Sequence, residues 1–353
     1  MKIKELAAKL KANEAALIIT EENRFYFTGF NSSNGYLFVT KNGGTFITDS
    51  RYIEAAKETV KDCRVLLEAS VSKQLNELIK EENIKKLLLE NTRVSVYDAS
   101  RYKGYFKGVE VPMGNELDTY ISELRMIKTP EEKETLIKAQ RIAESAFKKV
   151  LPLIKPGVAE RDIAIEFDYL LRKGGAKEVS FETIVVSGVN SSKPHGVPSE
   201  KLIENGDFVT MDFGALYKGY HSDTTRTVAV GKVSDEMKKV YDTVLKAQLA
   251  GVEAIKAGIK GSELDAVCRD IIKDAGYGHA FGHATGHGVG VEIHEEPYAS
   301  PSYDKVLRAG NTVTVEPGIY LEGKFGVRIE DTLYVTDNGS ENFVKLDKEL
   351  IVL

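Results

Sequence analysis

Four carboxylates stand in two pairs whose placing calls for a cation. Asp212 and Asp223 flank FGALYKGYHS, whose midpoint falls at Tyr217-Lys218 beside a glycine suited to a turn. Glu316 and Glu330 flank a second stretch centred on Gly323, within Glu322-Gly323-Lys324. Read as regular hairpins, these stretches set Asp212 directly across from Asp223 and Glu316 across from Glu330. Opposed side chains in an antiparallel pair lie about 5 Å apart, and like charges there are destabilising. Surface acids on strands are common. Here, though, Val209, Met211 and Phe213 surround one pair, and Val313, Val315 and Ile319 the other, so the acids belong to a buried setting that needs positive charge.

The two hairpins are copies of one unit. ENGDFVTMDFGALYKG (204–219) runs beside RAGNTVTVEPGIYLEG (308–323), aligning Gly206 with Gly310, Thr210 with Thr314, Gly214 with Gly318 and Asp212 with Glu316. Upstream, Lys155-Pro156-Gly157-Val158 with Asp162-Ile163 and Gly174-Gly175 matches Ala257-Gly258-Ile259, Glu263-Leu264 and Ala275-Gly276, and HGVP at His195 finds an echo in HEEP at His294. Two copies of a helix, helix, strand unit are too few for a solenoid. They predict a pseudo-twofold domain in which acids from both copies meet near the axis.

GHATGHGVGVEIHE (282–295) holds three of the six histidines. His283 and His287 have the spacing of a zinc-binding helix. However, Gly282, Gly286, Gly288 and Gly290 each cost about 1 kcal/mol in a helix interior, and no glutamate follows His283. Val289, Val291 and Ile293 alternate, which predicts a strand entered through a glycine-rich loop. His287, between glycines, can approach an ion closely. His294 falls on the opposite face of a straight strand, so both can serve one site only if a bulge or bend separates them. Four carboxylates and one imidazole carry four negative charges, which two divalent ions balance. Oxygen-rich donors with one histidine suit Mn2+ or Co2+, with Zn2+ as the alternative. Two such ions polarise a carbonyl and stabilise a tetrahedral intermediate, which is the chemistry of amide hydrolysis. His283 and His195 are read either as donors behind the ligands or as plain loop residues, and His279 and His221 as exposed or structural. Arg328, two residues from Glu330 on one strand face, either pairs with an acid or grips a substrate.

The elements that must position these groups occupy two domains, as 353 residues suggest at about 150 residues each. In the first third, Ala15–Thr20, Tyr36–Thr40, Thr45–Thr48 and Lys86–Glu90 read as strands, with a hairpin at 41–44 and a helix at Val71–Glu82. The pattern breaks near Val111-Pro112, and Thr129-Pro130-Glu131-Glu132 announces a long helix with a capping box. The expected division is a small mixed α/β domain over 1–120 and the duplicated α/β domain, of α+β character, over 121–353. Net charge is −5, from 48 basic and 53 acidic residues, with no basic cluster interleaved with aromatics, so nucleic acid is not an expected partner. The first residues space Ile3, Leu6, Ala7 and Leu10 as an amphipathic helix, not a signal peptide. No segment reaches the roughly 18 apolar residues of a membrane span. Cys63 and Cys268 are expected as separate buried thiols in a reducing compartment, which points to the cytoplasm.

Asp212, Asp223, His287, Glu316 and Glu330, together with GHATGHGVGVEIHEEP and TVEPGIY, resemble the Xaa-Pro aminopeptidase and prolidase family of pita-bread metallopeptidases. ENRFYFTGF and FITDSRY resemble that family's N-terminal domain, and ELRMIKTPEE its entry into the catalytic domain, so the likeness covers nearly the whole chain. The resemblance implies a dinuclear site on those five ligands, a bridging water or hydroxide as nucleophile, and Glu316 as proton shuttle. It implies that His294 and His195 contact the peptide and the tetrahedral intermediate, that His283 and Arg328 lie near the substrate, and that the protein is a homodimer. The implied activity is release of the residue before proline, from dipeptides or from longer peptides. A non-catalytic peptide-binding module and a metal-free creatinase-like hydrolase are the competing readings. Both predict loss of acids that this chain retains.

Overall fold

Runs of β-branched and large apolar residues set the strands of the first unit. The computed structural model describes residues 2–353, with one compact unit ending at Arg125 and another starting at Met126. Chain order in the first is α1 Lys2–Lys9, β1 Glu14–Ile18, α2 Glu21–Thr28, β2 Tyr36–Thr40, β3 Gly43–Thr48, α3 Ile53–Thr59, β4 Arg64–Leu67, α4 Val71–Glu81, β5 Lys86–Leu89, α5 Val96–Tyr105 and α6 Glu116–Met126. The sheet runs β4-β3-β2-β1-β5, antiparallel at its centre and parallel at both outer pairs. Ala15, Leu17 and Phe38 pack against Leu75, Leu78 and Ile79 of α4, whose apolar positions recur at helical spacing. The boundary expected near residue 120 falls inside α6, and the units divide after Arg125.

The second unit shows the duplication. Its first copy comprises α7 Pro130–Val150, α8 Glu160–Lys173, β6 Glu178–Val179, β7 Ile184–Ser187, β8 Phe208–Phe213, β9 Ala215–Tyr217, β10 Tyr220–His221 and β11 Thr224–Ala229. The second comprises α9 Asp235–Ala254, α10 Gly261–Asp274, β12 Gly286–Gly288, β13 Glu295–Ala299, β14 Thr312–Val315, β15 Gly318–Leu321, β16 Phe325–Arg328, β17 Asp331–Val335 and β18 Ser340–Asn342. α7 begins as its sequence predicts: Thr129 Oγ1 accepts the Glu132 amide at 3.2 Å, and the Glu132 carboxylate accepts the Thr129 amide at 2.7 Å. The helix pair α7 and α8 covers Val209, Met211 and Phe213, while α9 and α10 cover Val313, Val315 and Ile319. Single bridges Ala159↔Leu202 and Lys260↔Val306 recur at matching places in the two copies.

Two expectations, one about a strand and one about a thiol, are corrected. Residues 289–294 form no strand; they turn between β12 and β13, whose pairing shifts register at His287/Gly288. Alternating valines separated by glycines imitate a strand without supplying one. Cys63 is only half-buried, whereas Cys268 is buried, and both are free thiols. No helix among the described residues is long and apolar enough to cross a membrane.

Candidate metal centre

The paired strands carry the acids to one place. In the second copy β14–β17 and β15–β16 share a single register, with Val315 opposite Asp331 and Gly318 opposite Arg328, so Glu316 and Glu330 are opposed as expected. In the first copy the register differs from the expectation. Asp212 faces Thr225, and Asp223 lies just before β11. The reason is the turn: Tyr217 pairs with Tyr220 around Lys218-Gly219, which have φ of +48° and +80°. Positive φ at both central residues marks a tight turn matched to strand twist, and lysine there gave no sign of it. Moving the turn by one residue shifts the ladder by two, so Asp223 is diagonal to Asp212 rather than opposite, still on the same face. Gly286 lets β12 lie against β14, since a Cβ there would strike the Thr314 carbonyl oxygen. That close approach places His287 beside Glu316.

His287 Nε2 lies 3.3 Å from Glu316 Oε1 and 3.5 Å from Asp223 Oδ2. Ligand atoms of Asp223, His287 and Glu330 all fall within 4.8 Å of one another. His287 Nδ1 sits 3.0 Å from the Gly288 carbonyl oxygen, which fixes that nitrogen as the protonated one and turns Nε2 toward the acids. Thr225 Oγ1 donates to Glu330 Oε2 at 2.8 Å, and Thr314 Oγ1 to Glu316 Oε1 at 3.2 Å. Burial and the neighbouring carboxylates push Asp223 and Glu330 well above the usual carboxylate range. Burial likewise raises Asp212, against the lowering pull of Arg328. Burial also acts to raise Glu316, but its hydrogen bond to His287 and the charges of His287, His283 and Arg328 outweigh it and hold this acid low. His287 is raised, burial notwithstanding, by its contact with Glu316. Burial and mutual repulsion thus oppose negative charge on Asp212, Asp223 and Glu330, which a cation would relieve.

Two oxygens within it, Asp212 Oδ1 and Glu330 Oε1, are buried with no hydrogen-bond partner. Leaving buried polar atoms unpaired costs about 1–3 kcal/mol each. Carboxylate oxygens and one imidazole nitrogen converging with free lone pairs are a donor set that fits divalent cations.

Around this cluster the remaining candidates line one cavity of about 470 Å³, together with Phe181, Ile184, Val197 and Ile293. His195, His283, His294 and Arg328 all lie on its wall. The ring of His294 stands edge-on to that of His287 at 4.3 Å, so the register shift and turn supply the bend that two histidines on one site require. Arg328 is buried; its Nη2 donates to Asp212 Oδ2 at 2.7 Å, Nε to Thr225 Oγ1 at 3.0 Å and Nη1 to Tyr320 Oη at 2.8 Å. Tyr320 Oη lies 2.9 Å from His283 Nε2, linking His283 to the acids through Arg328. His221 is half-buried, does not line the cavity, and its backbone N–H donates to the Gly290 carbonyl at 2.9 Å. Thr225, Thr314 and Tyr320 were missed by sequence reading. Alternation could have flagged Thr225, two residues from Asp223, but nothing local marks Tyr320.

The family model for metallopeptidase family M24 matches residues 134–337. The chain belongs to metallopeptidase family M24. The Creatinase/Prolidase N-terminal domain model matches residues 2–127. Among M24 relatives, an Xaa-Pro dipeptidase from Pyrococcus furiosus is 39% identical over 93% of this chain and 92% of its own length. Among solved structures, an Xaa-Pro dipeptidase from Bacillus anthracis superposes with a TM-score of 0.95 at 44% identity, covering 100% of this chain and 99% of that one. An X-Pro aminopeptidase from Thermotoga maritima does so with a TM-score of 0.91 at 37% identity, covering 98% and 99%. The α/β fold is therefore that of the M24 pita-bread domain preceded by a creatinase-type domain, and the protein is a metallopeptidase.

Proposed function

We propose that this M24 enzyme hydrolyses the bond between an N-terminal residue and proline in short peptides, with two divalent cations held by Asp212, Asp223, His287, Glu316 and Glu330. The observation that carries the reading is the convergence of these five donors on one cavity of about 470 Å³, a size suited to a small molecule. Relatives named for Xaa-Pro dipeptidase and X-Pro aminopeptidase activity support the proline requirement. Mn2+ or Co2+ suits the oxygen-rich donor set, with Zn2+ as the alternative. When bound, such ions supply Lewis acidity: they lower the pKa of water and polarise a carbonyl.

The chain's own residues do the rest. Proline's tertiary amide has no N–H to offer, so recognition falls on the free amine, the carbonyl and the ring. Phe181, Ile184 and Ile293 offer the ring an apolar surface. His195 and His294 stand where they can donate to a developing oxyanion, an interaction worth most in a site shielded from water. Glu316, held ionised by His287, is the group suited to accept a proton and return it to the leaving nitrogen. Arg328 donates to Asp212 and opposes the upward pull of burial on it, and Tyr320 and His283 extend that network along the wall.

Chelator-stripped protein should be inactive and should recover with Mn2+, Co2+ or Zn2+ on an Xaa-Pro dipeptide, measured by release of free proline. Equal rates on an Xaa-Ala dipeptide would overturn the proline requirement. Parallel assays on Xaa-Pro-Xaa separate dipeptidase from aminopeptidase. The family resemblance extends the proposal to a homodimer, which the solution mass from light scattering tests.

A further inference from the structure

We propose that Glu160, outside the cavity, is a positioning residue that clasps both ends of the loop bearing His195. This rests on the role proposed for His195 above. Glu160 opens α8 and is completely buried. Its Oε1 accepts the Ser187 amide at 2.6 Å and Ser187 Oγ at 2.8 Å. Its Oε2 accepts the Ser199 amide at 3.2 Å and Ser199 Oγ at 2.7 Å. Asn190 Nδ2 donates to both oxygens at 3.2 Å. One carboxylate therefore ties the residue before the loop, a residue early within it and the residue that ends it.

Between those feet, Pro194, His195, Gly196, Val197 and Pro198 line the cavity. His195 itself is exposed, so packing on its ring does not hold it. The loop's position comes from the clasp at its feet, from the Gly326 amide, which donates to Ser191 Oγ at 2.9 Å, and from Arg328, whose Nη1 donates to the Pro194 carbonyl at 3.1 Å. A carboxylate suits this task because it only accepts, and every partner here donates: two backbone amides, two hydroxyls and one amide group. Glutamine in its place would aim an N–H2 at donors. Such a group acts by geometry, and a misplacement of about 1 Å caused far from the chemistry can cost about 100-fold in rate.

The test is a double-mutant cycle on the metal-loaded full chain with an Xaa-Pro dipeptide. Glu160→Gln should lower kcat about tenfold or more, with metal content unchanged. Adding His195→Ala in that background should cost little beyond Glu160→Gln alone, because the ring is already displaced. Full additivity of the two losses would overturn the proposal. Hydrogen exchange gives a readout independent of turnover: amides of residues 187–199 should exchange faster in Glu160→Gln, in metal-free and loaded protein alike. Unchanged exchange there would also overturn it. Should Glu160→Gln fail to fold, Ser199→Ala frees one foot and enters the same cycle. Wild-type protein without Xaa-Pro hydrolysis would sink the proposed function alone, and the exchange comparison would still decide the clasp.

Discussion

The two copies of the repeat each send a histidine into the cavity, and they hold it by different means. In the first, a buried carboxylate at the start of α8 gathers the feet of the His195 loop. In the second, the equivalent place at the start of α10 is Gly261, where a Cβ would strike the Tyr298 carbonyl oxygen, so no side chain can reach across. His294 instead ends the turn that leads into β13, and Glu295, the next residue and the first of that strand, pairs with Lys128 at 2.7 Å with both groups buried. The helix pairs recur in both copies, while the register of the acid-bearing hairpins and the loops between the elements differ. The His195 loop is held at separate points, its feet by Glu160 and its interior by Gly326 and Arg328, whereas the residue after His294 enters a strand pair.

The acids are where the copies act as one, and substitutions there should have the largest effect. Asp223→Asn and Glu330→Gln, one from each copy, should each lower kcat/KM by at least about two orders of magnitude, beyond the loss typical of partners behind a ligand. Both should leave a cooperative urea transition. A wild-type rate in either would show that the copies do not pool their acids. Lys128→Ala removes a buried cation from Glu295. Breaking a buried pair costs about 3–5 kcal/mol, read from urea unfolding. Hydrogen exchange should quicken at 288–298 and stay unchanged at 187–199, the reverse of Glu160→Gln. Faster exchange in both loops would merge what the comparison separates.

The repeat made the centre legible. Alignment of Asp212 with Glu316, and a hairpin pivoting on Gly323, gave the opposition of Glu316 and Glu330 directly. The first hairpin misled by two positions because a lysine, Lys218, takes a left-handed conformation that glycine usually marks. Four of the first unit's five strands and the capping box of α7 were equally plain, since both rest on local pattern, whereas the short edge strand β4 was not read. Glu160, Lys128 and Tyr320 were not legible. Each acts through partners distant in sequence, and a glutamate opening a helix reads only as favourable charge at its N-terminus. What burial does to it appears only when Ser187 and Ser199 arrive.

Smaller effects sharpen the comparison further. His294→Ala should lower kcat about 100-fold with metal content, by atomic emission, essentially that of wild type. Loss of metal as well would mean that its edge-on contact with His287 supports the ligand itself.

The smallest expected effect lies behind the site, where Asp331 follows Glu330. Its Oδ1 accepts Arg226 Nη2 at 2.7 Å, and its Oδ2 accepts Lys348 Nζ at 2.9 Å and Asn342 Nδ2 at 2.7 Å. Arg226 also donates to the carbonyl oxygens of Leu346 and Asp347, so this group ties the C-terminal segment to the strand that carries Thr225. Burial acts to raise Asp331, but the charges of Arg226 and Lys348 dominate and hold it below its ordinary value. A carboxylate depressed in the folded state contributes stability above its unfolded pKa, near 4, and that contribution fades as pH falls through the folded value. Between those two values wild type should lose stability more steeply than Asp331→Asn, by up to about 1.4 kcal/mol per pH unit for the one proton involved. Parallel slopes in urea melts across that interval would mean that the ion pair contributes nothing beyond its neutral counterpart.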